Sequence, residues 1–315
     1  MKIGTRGSDL ALAQANGVAE RLRALGAEVT LEIIRTQGDD NTHLSFEKLE
    51  GKGFFTKEIE DALLAGHTDL AVHSLKDLPT ESPQGLVIAA IPSREDVRDC
   101  LLVRREAFDP SRGLLQFKED AVIGTSEVRR KAQLAALRPD ARLLDLRGNV
   151  PTRVRKLREG AFDAIVLARA GLLRLQMDLS DLDVQVLDPE AFVPAPGQGA
   201  LALQVRANDP TTHALVRQLH YPKDALCVEA ERTLLARLDS GCHLPLGAHA
   251  VHFDGGLQLV AFLGGQQRRR AQVQGDTPED VAEQAYFALT LSTRCKAKPC
   301  CSPAAPSIPK SCARL

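Results

Sequence analysis

The sequence predicts an α/β protein built from more than one domain, closing in a small antiparallel meander. Three observations carry this. Short apolar runs alternate with segments of helical period through the first two-thirds of the chain. One such run, Asp163–Ala168, is apolar almost throughout, as a strand covered on both faces must be. At 315 residues and 44% hydrophobic content, the chain has apolar material for two or three cores.

The elements follow in order. Lys2–Arg6 reads as a strand and Leu10–Leu25 as an amphipathic helix, with Leu12, Ala15, Ala19 and Leu22 at spacings of three and four. Val29–Arg35 is a strand. Thr36–Gly53 is polar and glycine-bearing, and a loop of that length is usually functional. Phe54–Ala65 returns to helix, then Asp69–His73 and Leu86–Ile91 to strand. A second set comprises strand Ala121–Ile123, helix Glu127–Leu137, strand Arg142–Asp145, helix Val150–Arg158 and strand Asp163–Ala168. Phe192–Gly199 is a rigid crossover punctuated by proline and glycine, followed by strand Leu201–Val205 and helix Pro222–Leu238. Ala248–Phe253, Leu257–Phe262 and Arg269–Val273 form the meander around a Gly255-Gly256 turn. Thr277 caps a last helix to Leu291, with Asp280 three residues on. Residues 292–315 lose all periodicity and read as a disordered tail.

Composition narrows the function classes. The formal net charge of -1 and 4% aromatic content without tryptophan argue against a nucleic-acid partner. No apolar run approaches the roughly 20 residues needed to span a bilayer. The start enters a strand at once, without a secretory h-region, so a cytoplasmic location is expected. Charge is nevertheless uneven: Gly124 to Arg174 holds twelve Lys/Arg against five Asp/Glu, an excess of seven. One basic region on a near-neutral chain suits a small anion.

The arginines stand at strand-to-helix junctions, where α/β folds bind ligands. Thr5-Arg6-Gly7-Ser8 is the first junction, with Ser8 a plausible helix cap. Gly124-Thr125-Ser126-Glu127-Val128-Arg129-Arg130 is the second, and Arg147-Gly148-Asn149 with Arg153 the third. Singly, each arginine is an ordinary surface charge; three equivalent junctions make a shared anion pocket, since guanidinium forks onto carboxylates. None matches a P-loop or dinucleotide fingerprint. Asp77, after Val72-His73-Ser74-Leu75-Lys76, is by itself a cap or ion-pair residue. Among arginines it can also accept ligand N–H groups and oppose a developing cation. Cys242, in Ser240-Gly241-Cys242-His243-Leu244-Pro245, is either a buried structural thiol or, given its tight turn, an exposed nucleophile and covalent anchor. Cys295, Cys300, Cys301 and Cys312 lack the paired spacing of a zinc site, so no metal is expected.

These motifs, with Leu10-Ala11, Gln14, Gly51-Lys52-Gly53, Leu167–Leu172 and Pro196–Ala200, resemble the hydroxymethylbilane synthase (porphobilinogen deaminase) family from about Lys2 to Leu291. The resemblance implies two lobes like those of periplasmic binding proteins, with mixed sheets, plus a smaller α+β third domain. Domain 1 would take residues 1–92 and 188–209, domain 2 residues 93–187, and domain 3 residues 211–291. It implies a dipyrromethane cofactor held to Cys242 by a thioether, onto which porphobilinogen is added head to tail with loss of ammonia. Asp77 would be catalytic, binding pyrrole N–H groups and stabilising the azafulvenium cation. Lys76, Asp77, Thr125, Ser126, Arg129, Arg130, Arg147 and Gly148 would hold the cofactor. Substrate would meet Arg6, Ser8, Arg147, Arg153 and Gln198, with Lys48 and Lys52 on a covering loop. A monomer passing its product to uroporphyrinogen-III synthase is implied as well.

Two departures stand out. Glu127 occupies a place where the family usually has serine, and so is left out of the site; residues 292–315 match nothing in the family. A non-catalytic two-lobed protein for small anions is the alternative, though it leaves Cys242 and the third domain unexplained. A ligand-sensing regulator would need a helix-turn-helix, and none is present.

Overall fold

A computed structural model describes residues 1–36, 56–238 and 244–291. The first sheet is ordered β2-β1-β3-β10-β4. Its strands are β1 (Lys2–Thr5), β2 (Thr30–Ile33), β3 (Leu70–Ser74), β4 (Leu86–Ala90) and β10 (Leu201–Arg206). β1 pairs parallel with β2 and β3, whereas β10 runs antiparallel between β3 and β4. The second sheet repeats the scheme, β7-β6-β8-β5-β9. Here β5 (Asp99–Arg104) runs antiparallel between β8 (Ala164–Ala168) and β9 (Leu182–Val186). β6 (Val122–Gly124) pairs parallel with β7 (Arg142–Leu144) and β8. Each sheet therefore holds one reversed strand, and those two strands are where the chain crosses from one lobe to the other and returns.

Helices cover the sheets for reasons visible in the residues. α1 (Asp9–Ala24) starts at Ser8, whose hydroxyl accepts from the Ala11 N–H at 3.4 Å. Its buried stripe of Ala15, Val18, Ala19 and Leu22 packs with Ile3, Leu70 and Leu203. α2 (Lys57–Leu64) buries Ile59 and Leu63 against Ala71 and Leu86. In the second lobe α3 (Val128–Leu137) and α4 (Val150–Arg158) flank β6 and β8. α5 (Arg169–Arg174) follows β8 directly. α6 (Pro210–Arg217) leads into the third unit. There the meander β11 (Leu246–Phe253), β12 (Gly256–Leu263) and β13 (Arg269–Gly275) is backed by α7 (Pro222–Arg237) and α8 (Pro278–Thr290). Ala230, Leu234, Leu259, Val281 and Ala285 fill the space between. Thr277 caps α8, as its spacing to Asp280 predicts: the Asp280 N–H donates to the hydroxyl at 3.2 Å.

The mixed α/β lobes and smaller α+β unit are the class the sequence predicts. Several details differ. β2 is shorter than the predicted Val29–Arg35, and β5, β9, α5 and α6 are not among the predicted elements. Most of the predicted loop Thr36–Gly53, with Lys48 and Lys52, lies outside the described residues, as do Cys242 and the tail from residue 292. No helix among the described residues is long and apolar enough to cross a membrane.

Candidate functional site

β3 ends at Ser74 and passes into a single 3-10 turn, Leu75–Asp77. Buried Leu75 is the pivot, its N–H donating to Ala200 O at 3.0 Å. Lys76 and Asp77 are thereby turned outward and exposed. Gly197, at φ 72, lies against this turn, and a side chain there would be strained by its backbone conformation. Lys76 is accessible at its surface, yet it stands in a concave wall of protein. Desolvation, the largest effect, and Arg130 and Arg129 lower its pKa against the pull of Asp77 and Asp99.

Across the cleft, the N-terminus of α3 presents Arg129 and Arg130, which are not solvated helical charges: both are buried. Asp99, the first residue of β5, holds them together. Its Oδ2 accepts from Arg129 Nη1 and its Oδ1 from Arg130 Nη2, each at 2.8 Å. Gln198 Nε2 adds a third bond to Oδ1 at 3.0 Å. Burial, the largest effect on Asp99, raises its pKa, but the two guanidinium groups overturn it and hold the carboxyl at about 2. Arg129 Nη1 also donates to Val193 O and Arg130 Nη1 to Val166 O, which fixes both planes. Arg129 Nε and Nη2 and Arg130 Nε have no hydrogen-bond partner. Two of these donors face Glu127, whose Oε2 lies 3.0 Å from Arg129 Nη2 and 3.6 Å from Arg130 Nε, without hydrogen-bond alignment. Glu127 also caps α3, its Oε1 accepting from the Arg129 N–H at 3.1 Å. The residue that departs from the family's serine thus caps the helix and pairs with arginine.

The third junction is shaped by Gly148 at φ 109, where a Cβ would fall 2.6 Å from Thr152 Cγ2. Asn149 then caps α4, accepting from the Thr152 N–H at 2.9 Å. Arg153 is half-buried on the first turn of that helix and donates to Gly148 O at 2.7 Å. Desolvation, then the nearby Arg130, push its pKa down to about 10, while Asp77 opposes them. Arg153 therefore feels both the arginine pair and the Asp77 turn. Arg147 precedes Gly148 and is partly exposed. Thr125 and Ser126 shape their own turn: Thr125 Oγ1 accepts from the Glu127 N–H at 3.4 Å, and Ser126 donates to Leu146 O at 3.0 Å.

A narrow cleft of about 90 Å³ lies between the lobes. Lys76 and Gln198 reach it from one side, Arg130 and Arg153 from the other. Asp77, Thr125, Ser126, Arg129, Arg147 and Gly148 do not line it, nor do Arg6 and Ser8 at the β1–α1 junction, where Ser8 is engaged as a cap. Two lining residues carry no local signal that would mark them. Gln14 is an interior residue of an amphipathic helix, bonded to Ser74 at 2.9 Å; Arg174 is the last residue of the short α5. Asp99, behind the wall, acts on residues some thirty positions away along the chain.

The cleft thus brings the Lys76 ammonium together with the guanidinium groups of Arg130, Arg153 and Arg174, and the outward Asp77 carboxylate stands next to Lys76 outside its lining. That set fits a ligand bearing several carboxylates and N–H groups. No cluster of three or more His, Cys, Asp or Glu that could hold a metal occurs among the described residues.

Comparison with known proteins agrees. The family described as porphobilinogen deaminase, dipyromethane cofactor binding domain, matches residues 1–214, and the porphobilinogen deaminase C-terminal domain matches residues 225–290. Porphobilinogen deaminase of Thermus thermophilus is 48% identical over 283 residues, 88% of this chain and 90% of that protein. The Syntrophobacter fumaroxidans protein of the same name is 46% identical over 280 residues, 87% and 88% of the two chains. Among solved structures, a periplasmic substrate-binding protein from Coxiella burnetii is similar at a TM-score of 0.42 and 16% identity, over 70% of this chain and 92% of that one. That likeness is too loose to speak to function.

Proposed function

The chain belongs to the porphobilinogen deaminase family, and from that premise we propose how its residues divide the work. The protein is a transferase of tetrapyrrole biosynthesis. It joins porphobilinogen units head to tail into hydroxymethylbilane, releasing ammonia at each addition, and it uses a dipyrromethane cofactor. That cofactor, when bound, supplies an electron-rich pyrrole end as the primer for growth.

In our reading Cys242, outside the described residues, anchors the primer through a thioether. The acetate and propionate groups meet the unfilled edges of Arg129 and Arg130, together with Arg147 and Lys76. Thr125, Ser126 and the glycine turn at Gly148 complete that wall. Incoming substrate is held by Arg153, Gln198, Arg6 and Ser8, with Lys48 and Lys52 beyond the described residues.

Asp77 is the catalytic residue. Its carboxylate accepts pyrrole N–H groups and opposes the positive charge that arises as the C–N bond breaks and ammonia departs. A fixed contact of that kind contributes about 3–4 kcal/mol in the transition state. A new C–C bond then forms at the methylene that ammonia has left, and the ring whose α-carbon made that bond loses its α-proton. The surrounding cations raise the local concentration of polyanionic substrate. On the family resemblance, we also take the enzyme to be a cytoplasmic monomer that passes its product to uroporphyrinogen-III synthase.

The observation that supports this reading most is that one cleft sets Lys76, next to Asp77 on its outward turn, opposite buried Arg130 and half-buried Arg153. Intact-mass measurement of freshly purified protein tests it. The active chain should be heavier by two linked pyrrole units and Cys242→Ser should lack them. An unmodified active chain, or the same adduct on Cys242→Ser, would remove the anchor. Asp77→Ala should fold, keep the native unfolding midpoint and lose turnover; near-normal turnover would remove Asp77 from its role.

A further inference from the structure

The carbonyls around the Asp77 turn take more donors than the turn supplies: within it the Leu78 N–H bonds back to Leu75 O at 3.2 Å, which leaves the carbonyls of Leu78 and Pro79 to partners from elsewhere. A single 3-10 turn satisfies little of its own backbone, and Pro79 stops it from continuing. The missing donors come from the third unit. Arg232, on α7, donates from Nη1 to Leu75 O at 3.3 Å and to Leu78 O at 3.1 Å, and from Nη2 to Pro79 O at 2.6 Å. One turn earlier on the same helix face, Val228 packs against the side chains of Leu75 and Leu78. Helix α7 therefore grips the turn twice, apolar on its side chains and polar on its carbonyls. Adjacent Glu231 is committed elsewhere, to Arg94 and the N–H groups of Gly197 and Ala250. Five residues beyond the end of α7 at Arg237, the chain reaches Cys242.

We propose that Arg232 is a positioning residue for the reaction: its guanidinium fixes the Asp77 turn to helix α7 of the third unit, so that the catalytic carboxylate keeps one place relative to that unit. The proposal rests on the reading of Asp77 as catalytic. Three carbonyls at different angles call for a planar fork, which is why arginine stands here. An ammonium at this place reaches fewer of them.

The full-length holoenzyme carrying Arg232→Met or Arg232→Lys tests this. In R232M, amide hydrogen exchange of Leu75–Leu78 should rise about tenfold or more while β1 and β8 keep parent rates. The same variant should lose about ten- to a hundredfold in kcat, as a misplacement near 1 Å would cause, with KM within about threefold. R232K should recover part of that kcat. Parent-like exchange in the turn of R232M overturns the proposal. So does a kcat loss that R232K does not relieve and that accompanies faster exchange throughout the molecule, since that pattern marks a purely structural contact. If R232M is not recovered folded, R232K alone decides: raised turn exchange with a lower kcat supports the assignment, and parent values in both overturn it. The exchange measurement reads the Arg232 contact whatever Asp77 does. Near-normal turnover in Asp77→Ala would instead overturn the catalytic reading, and with it the meaning of the contact.

Discussion

Arg94 and Glu231 meet through two parallel hydrogen bonds of 2.8 Å, with side chains only 6% and 0% exposed. The pair fastens the segment entering β5 to helix α7 of the third unit. Burial, the largest effect on Glu231, raises its pKa; Arg94 and His249 overturn this and hold it at about 2. Arg94→Ala strands a buried carboxylate and should cost about 3–5 kcal/mol in urea unfolding. Replacing both partners with leucine should recover only part of that, because Gly197 and Ala250 would lose their acceptor. A cost below about 1 kcal/mol for Arg94→Ala would show that water reaches Glu231.

Acid should weaken the fold in two stages. His73 is buried against Gln204 at 3.0 Å, and burial lowers its pKa from 6.5 to about 4. On acidification the unfolded chain takes up that proton first. The His73 contribution is therefore full above pH 6.5 and falls, by on the order of 3 kcal/mol, as pH drops toward 4. Asp99 and Glu231 titrate near 2 when folded but at 3.8 and 4.5 otherwise, so their contribution is lost lower, as pH falls from about 4.5 to 2. Urea midpoints between pH 7.5 and 3 should show both slopes, and His73→Gln should flatten the first alone.

Glu127→Ser should tighten substrate binding with little change in stability. Serine also caps a helix, so α3 keeps its first bond. What disappears is the carboxylate competing for Arg129 and Arg130. Because Glu127 is 40% exposed, its ion pair counts for a fraction of a buried one, about 1 kcal/mol or less. KM should fall about two- to fivefold with kcat unchanged; a rise in KM would show that Glu127 helps to orient the pair instead.

Cys100 and Cys227 should be inert toward alkylating reagents in the native protein. Both are buried, and burial pushes each thiol up to about 11. Cys100→Ala and Cys227→Ala should keep full turnover. A native-stable but inactive Cys227→Ala would contradict a single anchor at Cys242.

The local rules of the chain are readable where structure is local. Val150–Arg158 is helical from its capping asparagine onward as the sequence predicts, and Asp163–Ala168 is the buried strand its composition requires. β5 and β9 escaped because their partners lie far away. β9 is an edge strand with Val184 and Val186 exposed, in an acidic stretch that reads as loop. α5 has only six residues, too few to display a period. At the site, the adjacent arginines are legible as residues. Their burial is not, because it depends on Asp99, a single acid at the start of a strand from another part of the chain. Arg232 is equally silent in sequence, one arginine in a charged helix.

The reversed strands have a consequence for synthesis on the ribosome. Residues 99–186 contain every strand of the second sheet and can close upon themselves as soon as they emerge. The first sheet cannot. β4 touches it only through β10, so the earliest residues translated must wait for position 206 before their own sheet is whole. The middle of this polypeptide is thus able to mature before its beginning, and a nascent chain stalled short of β10 would present an unpaired edge on β3.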